Sequence, residues 1–333
     1  MRAAVLSGGT FVVDDVPDPT PGPGELILRV SANGICGSDL STYSFLPDGT
    51  IMGHEFAGEV VAVDPSARGD WPIGVPVAAM PVIGCRACPS CAVGDQARCP
   101  AARTIGLGVL PGALAEYVRV GIAESVRLDT LAGDVEVDLD AAALVEPLAV
   151  GLHALRRASP APGDRVLVLG AGPVGLAVIA WAAQQPVSAA TCADPVSGRR
   201  DAALRMGATE VLHPEEVRPD SFDIVVDCVG KPGIIATAIQ ASAPRGTVVV
   251  AGVCMAADTF MPVAGVVKEI SMHFVSYYSR DEFVAAARLV ATGRLDHRRF
   301  VSARVPLEQV ASLFAELARP NDHRKVLVTP RRR

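Results

Sequence analysis

Four cysteines lie close together on one short stretch of the chain, at Cys85, Cys88, Cys91 and Cys99. Four thiolates at this spacing suit a closed tetrahedral zinc site, which contributes folding energy and performs no chemistry. Two disulfide bonds are the alternative. They are disfavoured because we expect no secretory segment and because three other cysteines lie in apolar runs. The spacing therefore predicts a structural zinc ion.

A second set of metal-ligating residue types is spread over the first half of the chain. Cys36 and His54 are good zinc ligands, and Glu146 can supply a carboxylate oxygen as the third. A catalytic zinc ion keeps its fourth position for water or substrate. Singly, each residue also has an ordinary interpretation, as a buried thiol, a core histidine or a helix-capping acid. As a set they predict a catalytic metal site.

A glycine-rich turn follows the apolar run 166–169. In a strand–turn–helix setting, Gly170 permits the tight turn, Gly172 lets the backbone approach a pyrophosphate, and Gly175 lets the helix pack on the strand. The first turn of that helix offers free N–H groups to the phosphates. The pattern predicts a dinucleotide site.

The acidic residue expected at the end of the next strand is Asp194, which lies 19 residues after Gly175. Its carboxylate would accept hydrogen bonds from the adenosine ribose and repel a 2′-phosphate, so NAD is favoured over NADP. Arg199 and Arg200 follow closely and could hold a phosphate. Alternatively, they lie on a solvated helix face or stack on adenine.

The elements that must position these residues fall into two kinds. The first 150 residues are rich in glycine and proline and carry short alternating apolar runs, which indicates a mostly β region. After residues 162–164, strand-like runs at 166–169, 224–227 and 247–251 alternate with helical stretches. This alternation indicates a parallel sheet covered on both faces. A helix from about residue 280 and a final strand at 326–329 follow, and we expect this last segment to return to the first domain.

Composition excludes several classes of protein. Of the 333 residues, half are hydrophobic and a fifth are charged, which indicates a globular protein. The net charge of −6 argues against a nucleic-acid surface. Residues 166–193 carry no charge and are long enough to span a bilayer, but glycine and proline interrupt them. We expect a soluble, cytoplasmic protein with no membrane partner, and a solvated tail at Arg331-Arg332-Arg333.

Over essentially its whole length the chain resembles the zinc-containing medium-chain dehydrogenases that act on alcohols, polyols and threonine. The resemblance is carried by the four cysteines, the glycine turn and four further motifs, which are CGSD at 36–39, GHEFAGEVV at 53–61, GALAEYV at 112–118 and EPLAV at 146–150. It implies an α/β protein with a mostly β, GroES-like catalytic domain (1–147 and 277–333) and a doubly wound Rossmann domain (148–276). It also implies two zinc ions per chain, NAD, a small alcohol or ketone substrate, and a homodimer or homotetramer.

The resemblance also implies roles around the catalytic metal. Cys36, His54 and Glu146 correspond to the zinc ligands, with Glu146 in the place that a glutamate occupies in polyol-type members. Glu55 is similar to the acid that can approach the metal and help to exchange its ligand. Asp39 resembles the acid that orients the zinc-bound imidazole.

Further roles concern the proton and the cofactor. Ser38 matches the hydroxyl that takes the substrate proton once zinc has lowered the pKa of a bound alcohol, so that the zinc-bound alkoxide can give hydride to NAD. Lys325 resembles the basic residue close to the pyrophosphate. The full set assigned to the cofactor site is Gly170, Gly172, Pro173, Val174, Gly175, Asp194, Arg199, Val229, Gly252 and Lys325.

Two departures from the family pattern affect the proton path and the substrate. Many relatives have a histidine where this chain has Ser41, so the last step of proton release is left without that side chain, and water could replace it. Polyol-type members often have Phe-Arg-Tyr where this chain has Ser276-Tyr277-Tyr278. Without that arginine, a secondary or partly apolar cyclic alcohol fits better than an open polyol.

The loop between Cys36 and His54 bears on the same question. Its three large apolar residues either line an apolar pocket or simply anchor the loop; these are Tyr43, Phe45 and Leu46. Within the same family, a cyclitol, polyol or amino-alcohol (threonine-like) dehydrogenase is the alternative. Outside it, the alternatives are a zinc-stabilised dinucleotide sensor without turnover and a thiol redox protein.

Overall fold

The computed structural model describes residues 1–67 and 69–330, so the expected tail at Arg331-Arg332-Arg333 lies outside the described residues. The chain divides into two compact units. Unit 1 comprises Met1–Glu146 and Tyr278–Arg333, and unit 2 comprises Pro147–Tyr277. The domain boundaries taken from the sequence each differ from these by one residue.

The N-terminal part of unit 1 is built from strands, because its short apolar runs alternate with polar residues and turns. Its strands are β1 (Arg2–Ser7), β2 (Thr10–Asp15), β3 (Glu25–Gly34), β4 (Glu55–Val63), β5 (Pro76–Ala79), β6 (Val82–Ile83), β7 (Arg103–Thr104), β8 (Tyr117–Gly121) and β9 (Ser125–Arg127). The buried side chains of β3, β4 and β8 meet in one core cluster that includes Leu28, Val60 and Val118.

Unit 2 is a doubly wound parallel sheet. Its strands are β10 (Arg165–Leu169), β11 (Ala189–Ala193), β12 (Glu210–Leu212), β13 (Phe222–Asp227), β14 (Ser242–Val250) and β15 (Ser271–Phe274). They are all parallel in the order β12-β11-β10-β13-β14-β15, so the order reverses beside β10. The predicted fold class is therefore confirmed. A ligand site is expected at the carboxyl ends of β10 and β13, where the order reverses.

The C-terminal residues complete the sheet of unit 1 with β16 (Val301–Val305) and β17 (Lys325–Val328). Among the described residues the seven strands of this sheet run β16-β17-β3-β4-β5-β9, with β8 also paired to β3. β17 lies antiparallel to β3, with Leu327 opposite Gly34. A residue near the end of the chain is thereby placed beside the segment that leads into Cys36.

Helices connect these strands. They are α1 (Gly37–Thr42), α2 (Pro89–Ala92), α3 (Asp129–Ala132), α4 (Leu139–Ala142), α5 (Val145–Ala158), α6 (Pro173–Ala182), α7 (Ser197–Met206), α8 (Ile234–Ala241), α9 (Pro262–Lys268), α10 (Arg280–Ala291) and α11 (Val310–Leu317). The uncharged stretch 166–193 becomes β10, α6 and β11. Among the described residues, no helix combines the length and the apolar character that crossing a bilayer requires.

Candidate active site

The four cysteines of the 85–99 loop come together. Their four Sγ atoms all lie within 4.8 Å of one another, and all four are free thiols. Four sulfurs about 2.3 Å from a central zinc ion would stand about 3.8 Å apart, so the cluster fits a tetrahedral ion. The backbone N–H of Ala87 lowers the pKa of Cys85 to about 6, whereas burial raises the pKa of Cys91 to about 11. A cation at the centre would favour the thiolate form of all four.

A second cluster joins Cys36, His54 and Glu55, whose ligand atoms also lie within 4.8 Å of one another. Cys36 is the N-cap of α1, Glu55 is the first residue of β4, and His54 directly precedes that strand. The pairing of β3 with β4 sets Glu55 opposite Gly34, two residues before Cys36. One thiol, one imidazole and one carboxylate form a donor set that suits zinc.

Asp39 lies beside the imidazole of this cluster. Its Oδ1 is 3.2 Å from Nδ1 of His54, and its Oδ2 accepts a hydrogen bond of 2.9 Å from the backbone N–H of Cys36. Asp39 is fully buried. Although burial lowers the pKa of His54, the Asp39 carboxylate and Cys36 outweigh it and hold that pKa well above its usual range. One carboxylate thus orients two of the three candidate ligands.

Glu55 has a partner that the sequence did not predict. Nζ of the buried Lys325 donates hydrogen bonds to Oε2 of Glu55 and, at 2.9 Å, to the carbonyl of Ile35. Although burial lowers the pKa of Lys325, the Glu55 carboxylate raises it by more. A lysine that opens the apolar run Lys325-Val-Leu-Val is the sequence sign that could have suggested a buried ion pair. The predicted contact of Lys325 with a pyrophosphate remains a prediction.

Glu146, predicted from sequence as the third zinc ligand, lies buried in the first turn of α5. Among the described residues, the compact ligand cluster contains Glu55 and not Glu146. Burial raises the pKa of Glu146 to about 7, since the lowering effect of His54 is opposed by the negative charge of Glu55. Glu55 and Glu146 are therefore both buried candidates for an oxygen ligand, and of the two Glu55 is the one that forms an ion pair with a lysine.

The three large apolar residues of the loop between Cys36 and His54 have different surroundings. Tyr43 packs against Phe11 and Phe314, with ring centroids 6.2 and 5.5 Å apart, and Leu46 packs on the same core cluster. Both anchor the loop, whereas the Phe45 side chain is 77% exposed. The anchoring alternative therefore holds for Tyr43 and Leu46.

Two serines of α1 were singled out from the sequence. Ser38, the expected proton acceptor, is half-buried and follows Cys36 by two residues. The Ser41 hydroxyl donates to the carbonyl of Gly37 at 3.1 Å. Ser41 therefore bonds within its own helix, as serine does at this spacing.

In unit 2 the glycine turn has the geometry of a phosphate cradle. Gly170 has φ +92°, and a Cβ on Gly175 would stand 1.8 Å from the Gly170 carbonyl oxygen. Gly172 is the N-cap of α6, which begins at Pro173 and continues through Val174. Close backbone packing here requires glycine, and the free N–H groups of α6 favour an anion.

Asp194 is buried at the end of β11. One of its carboxylate oxygens accepts a hydrogen bond of 2.8 Å from the Ala171 N–H, and the other accepts one of 2.9 Å from the Val196 N–H. Arg200 donates to the carbonyls of Asp194 and Pro195, at 2.7 and 3.0 Å. The guanidinium of Arg200 is therefore committed to its own loop. This weakens the alternative in which it holds a 2′-phosphate.

Val229 and Gly252 follow the neighbouring strands β13 and β14. The Val229 N–H donates to Oδ1 of Asp227 at 2.8 Å. A Cβ on Gly252 would stand 2.2 Å from the Gly230 nitrogen, so these two loops pack backbone to backbone. Arg199 lies half-buried in the first turn of α7. The assignment of these residues to the cofactor remains a prediction.

Both halves of the chain match models of known protein families. Residues 22–130 match the alcohol dehydrogenase GroES-like domain, and residues 173–292 match the zinc-binding dehydrogenase model. The chain is 30% identical to the L-arabinitol 4-dehydrogenase of Hypocrea jecorina, over 90% of this chain and 83% of that protein. The chain belongs to the zinc-binding alcohol dehydrogenase family. The predicted family and enzyme class are thereby confirmed, since members are oxidoreductases of small alcohols.

Further relatives cover the whole chain. The sorbitol dehydrogenase of Bacillus subtilis is 28% identical over 100% of this chain and 98% of its own. The structure of a Sinorhizobium meliloti protein described as a zinc-binding dehydrogenase, bound to NADP, has a TM-score of 0.89 at 28% identity and covers 99% of both chains. These relatives argue against the sensor and thiol redox alternatives.

Proposed function

We propose that this protein oxidises a secondary alcohol, including partly apolar cyclic alcohols, with NAD and a catalytic zinc ion. The observation that carries the proposal is the group formed by the half-buried Cys36 and the buried His54 and Glu55, which lies apart in the chain from the four cysteines. A chain with one closed cluster and one mixed cluster would bind one structural and one catalytic zinc ion.

The residues at and beside the mixed cluster of unit 1 have distinct roles in this proposal. Cys36, His54 and a buried carboxylate, Glu55 or Glu146, would hold zinc, which lowers the pKa of an alcohol and so favours hydride loss to NAD. Asp39 fixes the imidazole through its 3.2 Å contact. Ser38 Oγ takes the alcohol proton. Because Ser41 is bonded to Gly37, water carries the proton onward.

For the cofactor we propose NAD. The buried Asp194 carboxylate lies at the end of the second strand, where it would meet the ribose hydroxyls. The Sinorhizobium meliloti neighbour holds NADP, so this choice needs a direct test. The measurement is kcat/KM with NAD and with NADP. A higher value with NADP would overturn the choice.

A polyol or cyclitol is the second candidate substrate. It is favoured by the names of the relatives, which include sorbitol dehydrogenase and the scyllo-inosose 3-dehydrogenase of Thermotoga maritima. Against it, Tyr277 occupies the sequence position at which polyol-type members often have the arginine that would hold several hydroxyls. NADH formation with matched panels of secondary alcohols, cyclitols, polyols and threonine separates the candidates. A preference for open polyols would overturn the first.

We further propose a cytoplasmic homodimer or homotetramer. β15 is an edge strand of the unit 2 sheet, near 272–275, and its unpaired backbone groups can receive a second strand. Large apolar side chains on this part of unit 2 are exposed; they are Met261, Val263, Val266, Val267 and Phe274. Such a patch favours association between copies. Light scattering of the purified protein tests the oligomeric state, and a monomer would contradict it.

A further inference from the structure

Asp227, the last residue of β13, is a buried acid with no role in the chemistry proposed above. Oδ1 of its carboxylate accepts two hydrogen bonds from the loop that follows, one from the Val229 N–H at 2.8 Å and one from the Gly230 N–H at 3.2 Å. Its main-chain carbonyl accepts two more, from the Ala251 and Gly252 N–H groups at 2.9 and 2.8 Å. One residue therefore holds the loops that follow two neighbouring strands, β13 and β14.

The loop after β13 also packs closely on both of its neighbours. A Cβ on Gly230, which has φ +65°, would stand 2.6 Å from the backbone nitrogen of Val253 in the loop after β14. On the other side, a Cβ on Gly170 would stand 2.8 Å from a methyl carbon of Val229. Neither glycine has room for a side chain, so this loop lies in close contact with the turn that is expected to hold the phosphates.

The order of the strands indicates which part of a dinucleotide these loops would meet. The pyrophosphate is expected at the glycine turn after β10, and the adenosine ribose at Asp194, after β11. β13 lies on the opposite side of β10 from β11. A dinucleotide crosses the place where the strand order reverses. Its nicotinamide half would therefore lie over the loops after β13 and β14.

We propose that Asp227 is a positioning residue, which holds the loops after β13 and β14 in the arrangement that receives the nicotinamide half of the cofactor. An aspartate oxygen that accepts from the N–H groups two and three residues later fixes the turn between them. Loops fixed before binding lower the cost of ordering them around a ligand. The inference rests on the proposed function only in taking the ligand of unit 2 as a nicotinamide dinucleotide.

The test compares Asp227→Ala with Asp227→Asn, because asparagine keeps an accepting oxygen and alanine removes it. We expect the Kd of NADH, from fluorescence titration, to rise about tenfold in Asp227→Ala and to stay within about twofold in Asp227→Asn. The Kd of AMP, from calorimetry, should stay within about twofold in both variants, because AMP fills only the adenosine side of the site.

Asp164→Ala is the matched control. Oδ2 of Asp164 accepts a hydrogen bond of 2.8 Å from the Ala161 N–H, directly before the amino end of β10. The substitution therefore removes the same kind of hydrogen bond from the opposite edge of the sheet. The Kd of NADH and the Kd of AMP should both be unaltered in this variant.

A second variant decides the question if Asp227→Ala does not fold. Gly230→Ala keeps the carboxylate but presses on the backbone of Val253, so it should weaken NADH about tenfold and leave AMP unaltered. An unaltered Kd of NADH in Asp227→Ala, equal weakening of NADH and AMP, or failure of Asp227→Asn to restore the Kd of NADH would each overturn the proposal.

The unmodified protein tests the proposed function separately. If it does not bind NADH, the proposed cofactor and this inference are overturned together. If it binds NADH but oxidises no alcohol, only the proposed reaction is contradicted, and the comparison of NADH with AMP still tests Asp227.

Discussion

The two ligand clusters of unit 1 are built in opposite ways. The four cysteines come from one loop, 85–99, and are chemically alike. The second cluster takes a thiol from the N-cap of α1, an imidazole from the residue before β4, a carboxylate from the first residue of β4, and a lysine partner from β17. The first can form from local chain, whereas the second exists only when the whole sheet of unit 1 is assembled.

The surroundings of the two clusters also differ. Cys85 is exposed, and its loop is attached through contacts such as the ion pair of the partly exposed Arg86 with the buried Glu124, at 3.1 Å. His54, Glu55 and Asp39 are buried, and each has a charged neighbour. A closed set of identical ligands favours stability, while a mixed, buried set of unequal charges favours reactivity.

The largest expected effect is on the mixed cluster. Cys36→Ser should lower kcat/KM by at least about 10³-fold, because the loss of one of three protein ligands removes the activation of the alcohol. Affinity for NAD, measured by fluorescence titration, should stay within about twofold. Turnover near the original rate would contradict the catalytic assignment of this cluster.

The second expected effect is on the four-cysteine cluster. Cys88→Ser should remove one zinc ion and lower the unfolding temperature by about 10 °C, because structural zinc contributes directly to folding. Turnover per folded molecule should persist below the new transition. Cys254→Ser, which alters a half-buried thiol bonded to the Ala256 carbonyl, is the control and should leave the zinc content at two per chain. Equal stability of both variants would contradict the difference between the clusters.

A smaller effect should follow from Asp39→Asn. The amide keeps the size of the side chain but loses the charge that faces His54, so catalytic zinc should bind about 10- to 100-fold more weakly. Metal analysis after dialysis against graded chelator measures this, with the four-cysteine zinc ion as the internal reference. Parallel loss of both ions would point to general unfolding instead of an effect on the imidazole.

The smallest expected effect comes from a steric change beside the four-cysteine cluster. A Cβ on Gly84 would stand 2.5 Å from Cys91 Sγ, so Gly84→Ala must displace the sulfur or the strand before it. We expect a fall in the unfolding temperature of about 3 °C and faster release of the structural zinc ion only. Gly265→Ala, where the added carbon meets no atom within 4 Å, is the matched control. Equal behaviour of the two variants would show that the loop absorbs the carbon freely.

Much of unit 2 was predictable, because its strands are continuous apolar runs bounded by glycine and proline. The runs at 166–169 and 224–227 coincide with β10 and β13, and the glycine turn lies between β10 and α6. The three-residue strand β12 was missed, since Glu210-Val-Leu has no periodicity to detect. Its place is set by pairing with β11, which is a tertiary property.

The sequence predicted which residue types would bind the catalytic metal, but it did not predict which side chains would contact those ligands. Cys36 and His54 were identified from residue type and motif, but the ion pair of Glu55 and Lys325 joins residues 270 positions apart. No local pattern encodes such a pair.

The pairing of β17 with β3, which are far apart in the sequence, has a consequence for folding during biosynthesis. Unit 2 is one continuous segment, so it can fold as soon as it leaves the ribosome. Unit 1 must wait for Lys325–Val328, although its first strand is made first. The lysine that pairs with Glu55 is therefore synthesised 270 residues after it. A nascent chain would carry the ligands of both clusters long before Lys325 can pair with Glu55, so the charged partner of the reactive cluster is supplied after all of its ligands.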